Sequence, residues 1–435
     1  MSNPAICFYG DDFTGASENL AQYHRHGLKS RLYFEPADPQ RVKSEAVDLD
    51  VVGIAGVARS RAPAEMRLLL DHAFELFGAL GTRLNQYKIC STFDSAVDVG
   101  NFSVAIDAAR RVWPDALTPV LPATPDFGRY TAFANHFSRH RGDILRLDRN
   151  PALVNHPSTP MHEADLRRHL LELGVAAVSA IMVPELGSDP DAIASLIADR
   201  STGRASVVLD TIDNAQLEIV STAIWRLART CEVFCLAAQG LPQGLGRAVA
   251  ADLDRSPPRL RANADRPNLV LSGSCAVQTA TQLAAAESEG WAMIRLPIEH
   301  IKTGDDALRI ANSISPEVEA ALNSGRRVAV FTARGEATQA FDSDRAPAVG
   351  SALAAVFQHA VRHAGVRHAI FAGGDSSSYA MRSSGAYALE IAASTGRQAS
   401  HTCRLLADNE LNGVEVMLKG GQAGGDRFLV DPMSG

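Results

Sequence analysis

The chain has 435 residues and a mass of 46.4 kDa, about three times the usual length of one domain, which predicts at least two domains. Hydrophobic residues make up 46% and charged residues 21%, so extended disorder is excluded and ample core can form. The formal net charge of −7 lacks the basic excess that a nucleic-acid partner requires, and an anionic small substrate would need a local basic pocket.

Short β-rich apolar runs alternate with helical patterns through the first half, which is typical of α/β units around mainly parallel sheets. Helices are predicted at 63–80 and 162–174, where apolar residues recur at steps of three and four. The segment 124–162 is long, polar and poorly periodic, which predicts a functional or mobile loop. The strand candidates are 5–10, 49–58, 87–90, 117–123, 176–183, 205–210 and 231–238.

A break in this pattern marks the expected domain boundary. Residues 251–267 bring charges, three prolines and no periodicity. We therefore predict an N-terminal domain over 1–250, a linker over 251–267 and a C-terminal domain over 268–435. The second half supplies strand candidates at 268–274, 291–296, 326–335, 366–378 and 414–425. Four of these five end in Gly- or Ser-rich turns, which predicts a ligand-binding edge at the carboxyl ends of parallel strands.

Cysteines and apolar runs indicate the compartment. The six cysteines are scattered without paired spacing, which is typical of reduced, buried thiols in a cytosolic protein. The first apolar run is too short for a signal peptide, and no stretch reaches the roughly 18 apolar residues of a membrane span. We expect a cytoplasmic protein that contacts neither membrane nor nucleic acid, and a homo-oligomer is left open.

Paired acids follow the first predicted strand, in "YGDDFTGASENL". Asp11 and Asp12 stand where the strand meets a helix, and one of them could simply cap that helix. Two carboxylates exceed what a cap needs. One could accept a proton from a substrate hydroxyl as general base, while the other binds a metal or a second hydroxyl.

A second polar group ends the strand in "YKICSTFDSAVDVGN". Lys88 with Ser91, Thr92 and Asp94 could hold a carboxylate or phosphate through one charge and several directional hydrogen bonds. The alternative is a polar turn beside a lysine whose charged end reaches solvent. Basic residues also follow two other strand candidates, at Arg59 and Arg129, so their convergence would form a pocket for a small acid.

Three glycine-rich turns in the second half could bind phosphate. Ser274 follows Gly273 at a strand end, where helix amides could bind an anion. Each turn alone is equally typical of plain chain reversal, and neither the P-loop pattern nor the dinucleotide fingerprint occurs. The candidate nucleotide-binding residues are Ser274, Gly373, Gly374, Asp375, Ser376, Gly420, Gly421 and Gly424, with Asp375 available to a metal.

In order, these stretches resemble the four-carbon acid sugar kinases, a family long catalogued as a domain of unknown function. The resemblance rests on "GDDFTGA", "ARS", "YKICSTFDS", "PDFGRY", "HPSTPMHEADL", "SGSCAVQTATQ", "AGGDSSS" and "LKGGQAGG", spread over about 410 residues. It implies two α/β domains with mainly parallel sheets, the first binding the sugar acid and the second ATP. It also implies a reaction in the interdomain cleft on threonate, erythronate or an oxo-tetronate.

The resemblance also implies residue roles. Asp11 falls on the family's substrate aspartate, Arg59 on its arginine, and Lys88, Ser91 and Thr92 on the next substrate motif. Ser274 and the turns 373–376 and 420–424 fall on its nucleotide motifs. This chain departs at Ala58, where many members have Thr, and at 237–240, which reads Ala-Ala-Gln-Gly in place of Gly-Ser-Ser-Gly. Both departures remove hydroxyls, which bears on the substrate.

These residues suggest one mechanism and leave two rivals. Arg59, Lys88, Ser91 and Thr92 would hold the acid, Asp11 or Asp12 would accept the proton, and Mg²⁺ would bridge the ATP phosphates. A metal-dependent phosphatase or isomerase acting on sugar acids would instead turn over without ATP. A sensor of sugar acids would bind without forming product.

Overall fold

The computed structural model describes residues 3–156, 158–258, 267–335, 345–394 and 401–431, and the side chain of Asp375 lies outside this description. The chain forms two compact units. The first comprises Met1–Ser30 and Pro36–Pro258, and the second comprises Arg31–Glu35 and Arg259–Gly435. Residues 259–266 of the predicted linker lie outside the described residues.

The described ranges contain eighteen strands and thirteen α-helices. The strands are β1 (Ile6–Gly10), β2 (Ser30–Phe34), β3 (Val51–Ala55), β4 (Leu84–Lys88), β5 (Thr118–Leu121), β6 (Arg129–Ala132), β7 (Asn135–His140), β8 (Asp143–Arg146), β9 (Val178–Ile181), β10 (Ser206–Leu209), β11 (Val233–Ala237), β12 (Leu269–Ser272), β13 (Ala292–Arg295), β14 (Val328–Phe331), β15 (His368–Ala372), β16 (Ala386–Ser394), β17 (His401–Ala407) and β18 (Glu415–Lys419). The helices are α1 (Phe13–Arg25), α2 (Pro39–Glu45), α3 (Pro63–Leu80), α4 (Phe102–Val112), α5 (Pro151–Val154), α6 (Leu166–Glu172), α7 (Pro190–Arg200), α8 (Asn214–Ala228), α9 (Gly240–Asp252), α10 (Val277–Ser288), α11 (Gly304–Asn323), α12 (Ala346–Ala364) and α13 (Gly374–Ser383).

The first unit is built on a seven-stranded parallel sheet in the order β3-β1-β4-β11-β5-β10-β9. Every residue of β1, β3, β4 and β11 is buried, as expected for a parallel sheet covered on both faces. Tyr9 stacks on Tyr87 of the neighbouring strand with 5.9 Å between ring centroids, and Phe74 of α3 meets Phe234 edge to face. This aromatic packing holds β1, β4 and β11 together and α3 against them.

The predicted helix 63–80 is confirmed as α3. Pro63 stands at its first position, and Gly81 ends it with a φ of 69°. The helix predicted at 162–174 begins only at Leu166 in the structure. Asp165 caps it by accepting the amide of Arg167 at 3.0 Å, so the residues before it are not helical.

The prediction of a loop over 124–162 is wrong. This segment contains an antiparallel sheet, β6-β7-β8, and the short helix α5. Phe133 and Ala134 join β6 to β7 with φ values of 51° and 60°, and the buried Asp210 carboxylate accepts both of their amides. Hairpin turns of this kind usually use Asn or Gly, so the sequence gives no local signal for this one.

The second unit has five parallel strands, β13-β14-β12-β15-β18, followed by β17, β16 and β2 in antiparallel pairing. Leu32 and Tyr33 of β2 pair with β16, and Arg31 forms an ion pair with Glu390. Strands β2, β16 and β17 were not predicted. The predicted class, α/β with mainly parallel sheets, is confirmed.

Two sequence expectations concern the compartment. Cys7, Cys235 and Cys403 are buried as expected, but Cys275 is exposed, and the remaining two thiols are partly buried. Among the helices in the described ranges, none has the length and apolar character needed to cross a bilayer.

Candidate functional site

The predicted substrate-side residues meet at the carboxyl ends of three neighbouring strands of the first unit. Asp11 follows β1, Arg59 follows β3 and Lys88 ends β4. The Asp11 amide donates to the Lys88 carbonyl at 3.1 Å, and the Arg59 amide donates to the Asp11 carbonyl at 3.1 Å. The parallel pairing thus brings together residues that lie far apart in sequence.

Arg59 binds both acids of the "GDDFTGA" motif. Its Nε and Nη2 donate to the two Asp11 oxygens at 3.1 and 2.7 Å, and Nη2 also donates to Asp12 Oδ1 at 2.9 Å. The Asp11 side chain is 1% exposed, whereas that of Asp12 is 29% exposed. Asp12 stands at the N-cap position of α1 but makes no capping hydrogen bond. Asp12 is therefore the acid that a ligand can reach.

Lys88 completes the cluster from the other side. Its side chain is 2% exposed, and Nζ lies 4.0 Å from Asp12 Oδ1. Gly15 makes this approach possible, because a Cβ there would lie 2.3 Å from Asp12 Oδ1 and 2.4 Å from Lys88 Nζ. The glycine of the motif therefore leaves room for an ammonium group beside a carboxylate.

Burial and the two cations act differently on the two acids. Burial raises the pKa of Asp11, against the lowering effects of Arg59 and Lys88 and with a further rise from Asp12. For Asp12 burial is outweighed, so that Arg59 and Lys88 hold its pKa below the usual range. Asp12 is thus the accessible acid, and its lowered pKa keeps it ionised at neutral pH.

The turn after β4 holds the next three predicted residues. Thr92 Oγ1 donates to Asp94 Oδ1 at 2.7 Å, and Cys90 Sγ lies 2.9 Å from Thr92 Oγ1. Burial and the Asp94 charge raise the pKa of Cys90 to about 11, so Cys90 remains a thiol. Because Thr92 gives its hydroxyl hydrogen to Asp94, the thiol donates to Thr92. Ser91 is buried, and its carbonyl accepts a hydrogen bond from His136 Nε2 at 2.9 Å. The structure therefore brings Ser91, Thr92 and Asp94 into one organised turn.

Arg129 begins β6 and lies beside this turn. Its Nη1 donates to the Phe127 carbonyl at 2.8 Å, while Nε is buried without a partner among the described residues. Burial lowers the pKa of Arg129, against the raising effects of Cys90 and Asp94. An arginine with an unused buried donor fits a role in binding a polar ligand.

Sequence reasoning missed His136, which joins the hairpin to the substrate-side turn. Its Nε2 donates to Ser91, so Nδ1 accepts from Thr131 Oγ1 at 2.9 Å. Burial lowers the pKa of His136 to about 4, which keeps the ring neutral. Alternation of buried residues in "NHFSRH" could have indicated an inward-facing histidine.

The two departures from the family pattern are both buried. Ala58 is fully buried in the turn that carries Arg59. Ala237 ends β11, and Gln239 is the N-cap residue of α9. Gln86 Nε2 donates to the carbonyls of Ala237 and Ala238 at 3.0 and 3.3 Å. In the segment 237–240, which lacks the family's serine hydroxyls, the backbone carbonyls of Ala237 and Ala238 are thus held by the Gln86 side chain of the neighbouring strand β4.

In the second unit, the predicted glycine-rich turns converge after the neighbouring strands β12, β15 and β18. A Cβ at Gly273 would lie 2.3 Å from Ser376 Oγ, one at Gly373 would lie 2.6 Å from the same atom, and one at Gly421 would lie 2.7 Å from Ser274 Oγ. The Ser376 hydroxyl makes no hydrogen bond within the described residues. Close backbone approach with an unused hydroxyl fits the binding of phosphate oxygens.

The remaining predicted residues of this unit are placed differently. Gly374 and Gly420 have no atom within 4 Å of a Cβ position. Gly424 has a φ of 81°, and its carbonyl accepts hydrogen bonds from Gln278 and Gln282 of α10, so the described contacts tie it to α10. Asp375 belongs to α13, but its side chain is outside the described part. Among the described residues, no three His, Cys, Asp or Glu side chains group together in a way that could hold a metal.

Comparison with known proteins agrees with the two units. A family described as a sugar-binding N-terminal domain matches residues 6–245, and one described as a nucleotide-binding C-terminal domain matches residues 269–429. The chain is 30% identical to the 3-oxo-isoapionate kinase of Paraburkholderia graminis, over 98% of this chain and 93% of the relative. It is 32% identical to the 3-oxo-tetronate kinase of Methylobacterium radiotolerans, over 86% of each chain.

Solved structures confirm the fold. A Salmonella typhimurium protein superposes with a TM-score of 0.76 at 21% identity, covering 99% of this chain and 98% of that one. A Haemophilus influenzae protein superposes with a TM-score of 0.71 at 22% identity, covering 98% of both chains. With both domain families matched in order and kinases similar over nearly the full length, the chain belongs to the four-carbon acid sugar kinase family.

Proposed function

We propose that this protein transfers the γ-phosphoryl group of ATP to a hydroxyl of a 3-oxo sugar acid. The relatives act, by their names, on 3-oxo-tetronate and 3-oxo-isoapionate, which present a carboxylate, a ketone and hydroxyls. The observation that carries the proposal is the ionised Asp12 carboxylate held between Arg59 and Lys88. The sugar-acid substrate is an anion that must lose a hydroxyl proton during the reaction. The two cations can bind its carboxylate, and Asp12 can accept the proton.

The substrate carboxylate would bind to unused donors of the two cations. Arg59 Nη1 makes no hydrogen bond within the described residues, because Nε and Nη2 supply the bonds to the acids. Lys88 Nζ has only the 4.0 Å approach to Asp12 among its described contacts. Both groups therefore keep donors for an anion, and Arg129 with the Ser91–Asp94 turn would contribute to binding the hydroxyls.

Asp12 would accept the proton of the attacking hydroxyl. Its partial exposure lets a substrate reach it, and its lowered pKa keeps it ionised. Asp11 would orient Arg59, since the guanidinium occupies both of its oxygens. The two acids therefore receive different roles.

The nucleotide phosphates would be held by the turns at Ser274, Gly373–Ser376 and Gly420–Gly421. The donors would be backbone amides and the hydroxyls of Ser274 and Ser376. ATP supplies the phosphoryl group, and Mg²⁺ bound to its phosphates would neutralise their charge. Phosphoryl transfer depends mainly on alignment and charge stabilisation, which is what these turns and the cations of the first unit provide.

The test is ADP release by purified protein with ATP and Mg²⁺ over a panel of sugar acids. The panel contains 3-oxo-tetronate, 3-oxo-isoapionate, threonate, erythronate and glycerate. We expect turnover highest with a 3-oxo acid and only background ATP hydrolysis without acid. Release of phosphate from phosphorylated acids without ATP would support a phosphatase instead. Absence of ADP release with every acid would overturn the proposal.

A further inference from the structure

Lys419 is a buried charge that the site described above does not use. It ends β18, and its side chain is fully buried. Nζ donates to Thr279 Oγ1 at 3.0 Å and to the carbonyls of Gly420 and Gly421 at 3.0 and 3.2 Å. All three ammonium donors are thus satisfied by uncharged acceptors.

No described carboxylate pairs with this ammonium. The described ion pairs do not include Lys419, and burial alone lowers the pKa of Lys419 to about 8. Burying a cation without a carboxylate partner destabilises the folded state through desolvation. A neutral hydrogen-bond donor could hold the same turn without this desolvation cost. The retained charge indicates an anionic partner that binds close by.

The hydrogen bonds of Lys419 set the direction of the neighbouring peptide groups. In a trans peptide the C=O and N–H point in opposite directions. Because the carbonyls of Gly420 and Gly421 are directed at Nζ, the amides of Gly421 and Gln422 are directed away from it. Neither amide makes a hydrogen bond within the described residues, whereas the Ala423 amide closes the turn onto Gly420.

This turn lies against the other candidate phosphate contacts. A Cβ on Gly421 would lie 2.7 Å from Ser274 Oγ. Thr279, which accepts from Lys419, sits in the first turn of α10 and donates to the Gly421 carbonyl at 2.7 Å. The turn is therefore fixed between a buried ammonium and the positive end of a helix, which is the electrostatic setting for an anion.

We propose that Lys419 is a positioning residue that holds the Gly420–Gln422 turn with its amides directed toward nucleotide phosphate and adds beneath them a positive charge that no described carboxylate balances. This inference rests on the proposed function, because it takes a nucleotide phosphate as the anion. A purely structural role of Lys419 would affect the binding of all adenine ligands equally. In the proposed role, the affinity that Lys419 contributes should grow with the number of phosphates on the ligand.

The experiment measures dissociation constants of ATP, ADP and adenosine for the full-length protein by calorimetry at pH 7. Lys419→Met removes the charge and all three donors, and Lys419→Gln retains a polar end without charge. Lys302→Met, at an exposed lysine of the same unit, is the matched control. A thermal melt of each variant verifies that it is folded.

We expect Lys419→Met to weaken ATP binding roughly 10- to 100-fold and ADP binding less, while adenosine binding changes by less than about twofold. The KM for ATP should rise, while the KM for the sugar acid stays close to that of the wild type. Lys419→Gln should resemble Lys419→Met, and Lys302→Met should resemble the wild type.

Several outcomes would overturn the inference. Equal loss of ATP and adenosine affinity, or wild-type ATP affinity in both folded Lys419 variants, would reduce Lys419 to a structural tie. If both variants fail to fold, Thr279→Val supplies the second measurement, since it removes one acceptor of Lys419 and should weaken ATP more than adenosine. Wild-type protein that binds no ATP would refute the proposed function and the inference together. If the wild-type protein turns over and the Lys419 variants bind ATP as tightly as it does, the inference is refuted and the proposed function stands.

Discussion

The two candidate sites differ in how their charges are balanced. In the first unit, two carboxylates and two cations meet, and Arg59 bonds directly to both acids. In the second unit, the ammonium of Lys419 has only uncharged partners among the described residues, and the surrounding groups are backbone turns and hydroxyls. A balanced cluster suits a small acid that carries one charge and several hydroxyls. An unbalanced cation among free amides suits a polyanion.

The largest effects are expected from substitution of the paired acids in the balanced cluster of the first unit. Asp12→Asn should lower kcat by about 10² to 10⁴, because it removes the accessible proton acceptor. Asp11→Asn should act mainly through Arg59, raising KM for the acid and lowering Tm, since it leaves a partly buried guanidinium with one neutral partner. Steady-state kinetics and thermal melts of both variants measure the difference.

The relative loss of kcat in the two variants decides which of the two acids is the general base. A larger loss of kcat in Asp11→Asn than in Asp12→Asn would make Asp11 the base and would reverse their roles. Turnover near the wild-type rate in both variants would remove general-base catalysis by either acid.

A smaller effect is expected at Arg59. Arg59→Ala should raise KM for the sugar acid by about 10- to 100-fold and leave KM for ATP within about twofold, because a charge-assisted hydrogen bond to the carboxylate is lost. Arg61→Ala is the matched control, since Arg61 lies two residues away and its ion pair with Glu65 is 3.5 Å long. An unchanged KM for the acid would exclude Arg59 from substrate binding. An equal rise in both KM values would indicate a general distortion.

Sequence reasoning reached most of the first site because its residues occupy strand ends. Asp11, Arg59 and Lys88 each follow or end a short apolar run, and parallel strands bring such positions to one edge. What the sequence could not give was the division of roles. Asp11 and Asp12 are adjacent and chemically identical, and only their contacts with Arg59 and their different exposure separate them.

The misses have a common physical cause, which is contact between distant segments. The hairpin turn at Phe133 and Ala134 depends on the carboxylate of Asp210, some 76 residues away, so local turn signals could not reveal it. Strand β2 gains its place by pairing with β16. Lys419 ends a predicted strand, but its burial without a described carboxylate partner could not be seen in the sequence.

The smallest effect is a dependence of stability on pH at Lys419. Its pKa in the folded protein is about 8 instead of the usual 10.5, so between these values the unfolded chain binds more protons than the folded one. The free energy of unfolding of the wild type should therefore rise with pH relative to Lys419→Met, by about 1 kcal/mol from pH 7.5 to 9. Below pH 8 the cost of the buried ammonium is fully present, and above pH 10.5 it is gone.

Denaturant unfolding of both proteins across this range measures that difference, and other titrating groups cancel because both chains share them. Lys302→Met should track the wild type. A flat difference between wild type and Lys419→Met would mean that the ammonium carries no burial cost, and the contrast with the balanced cluster of the first unit would fail. A rising difference, found together with weaker ATP binding in the same variant, would show a charge that costs stability in the free protein and contributes affinity when phosphate binds.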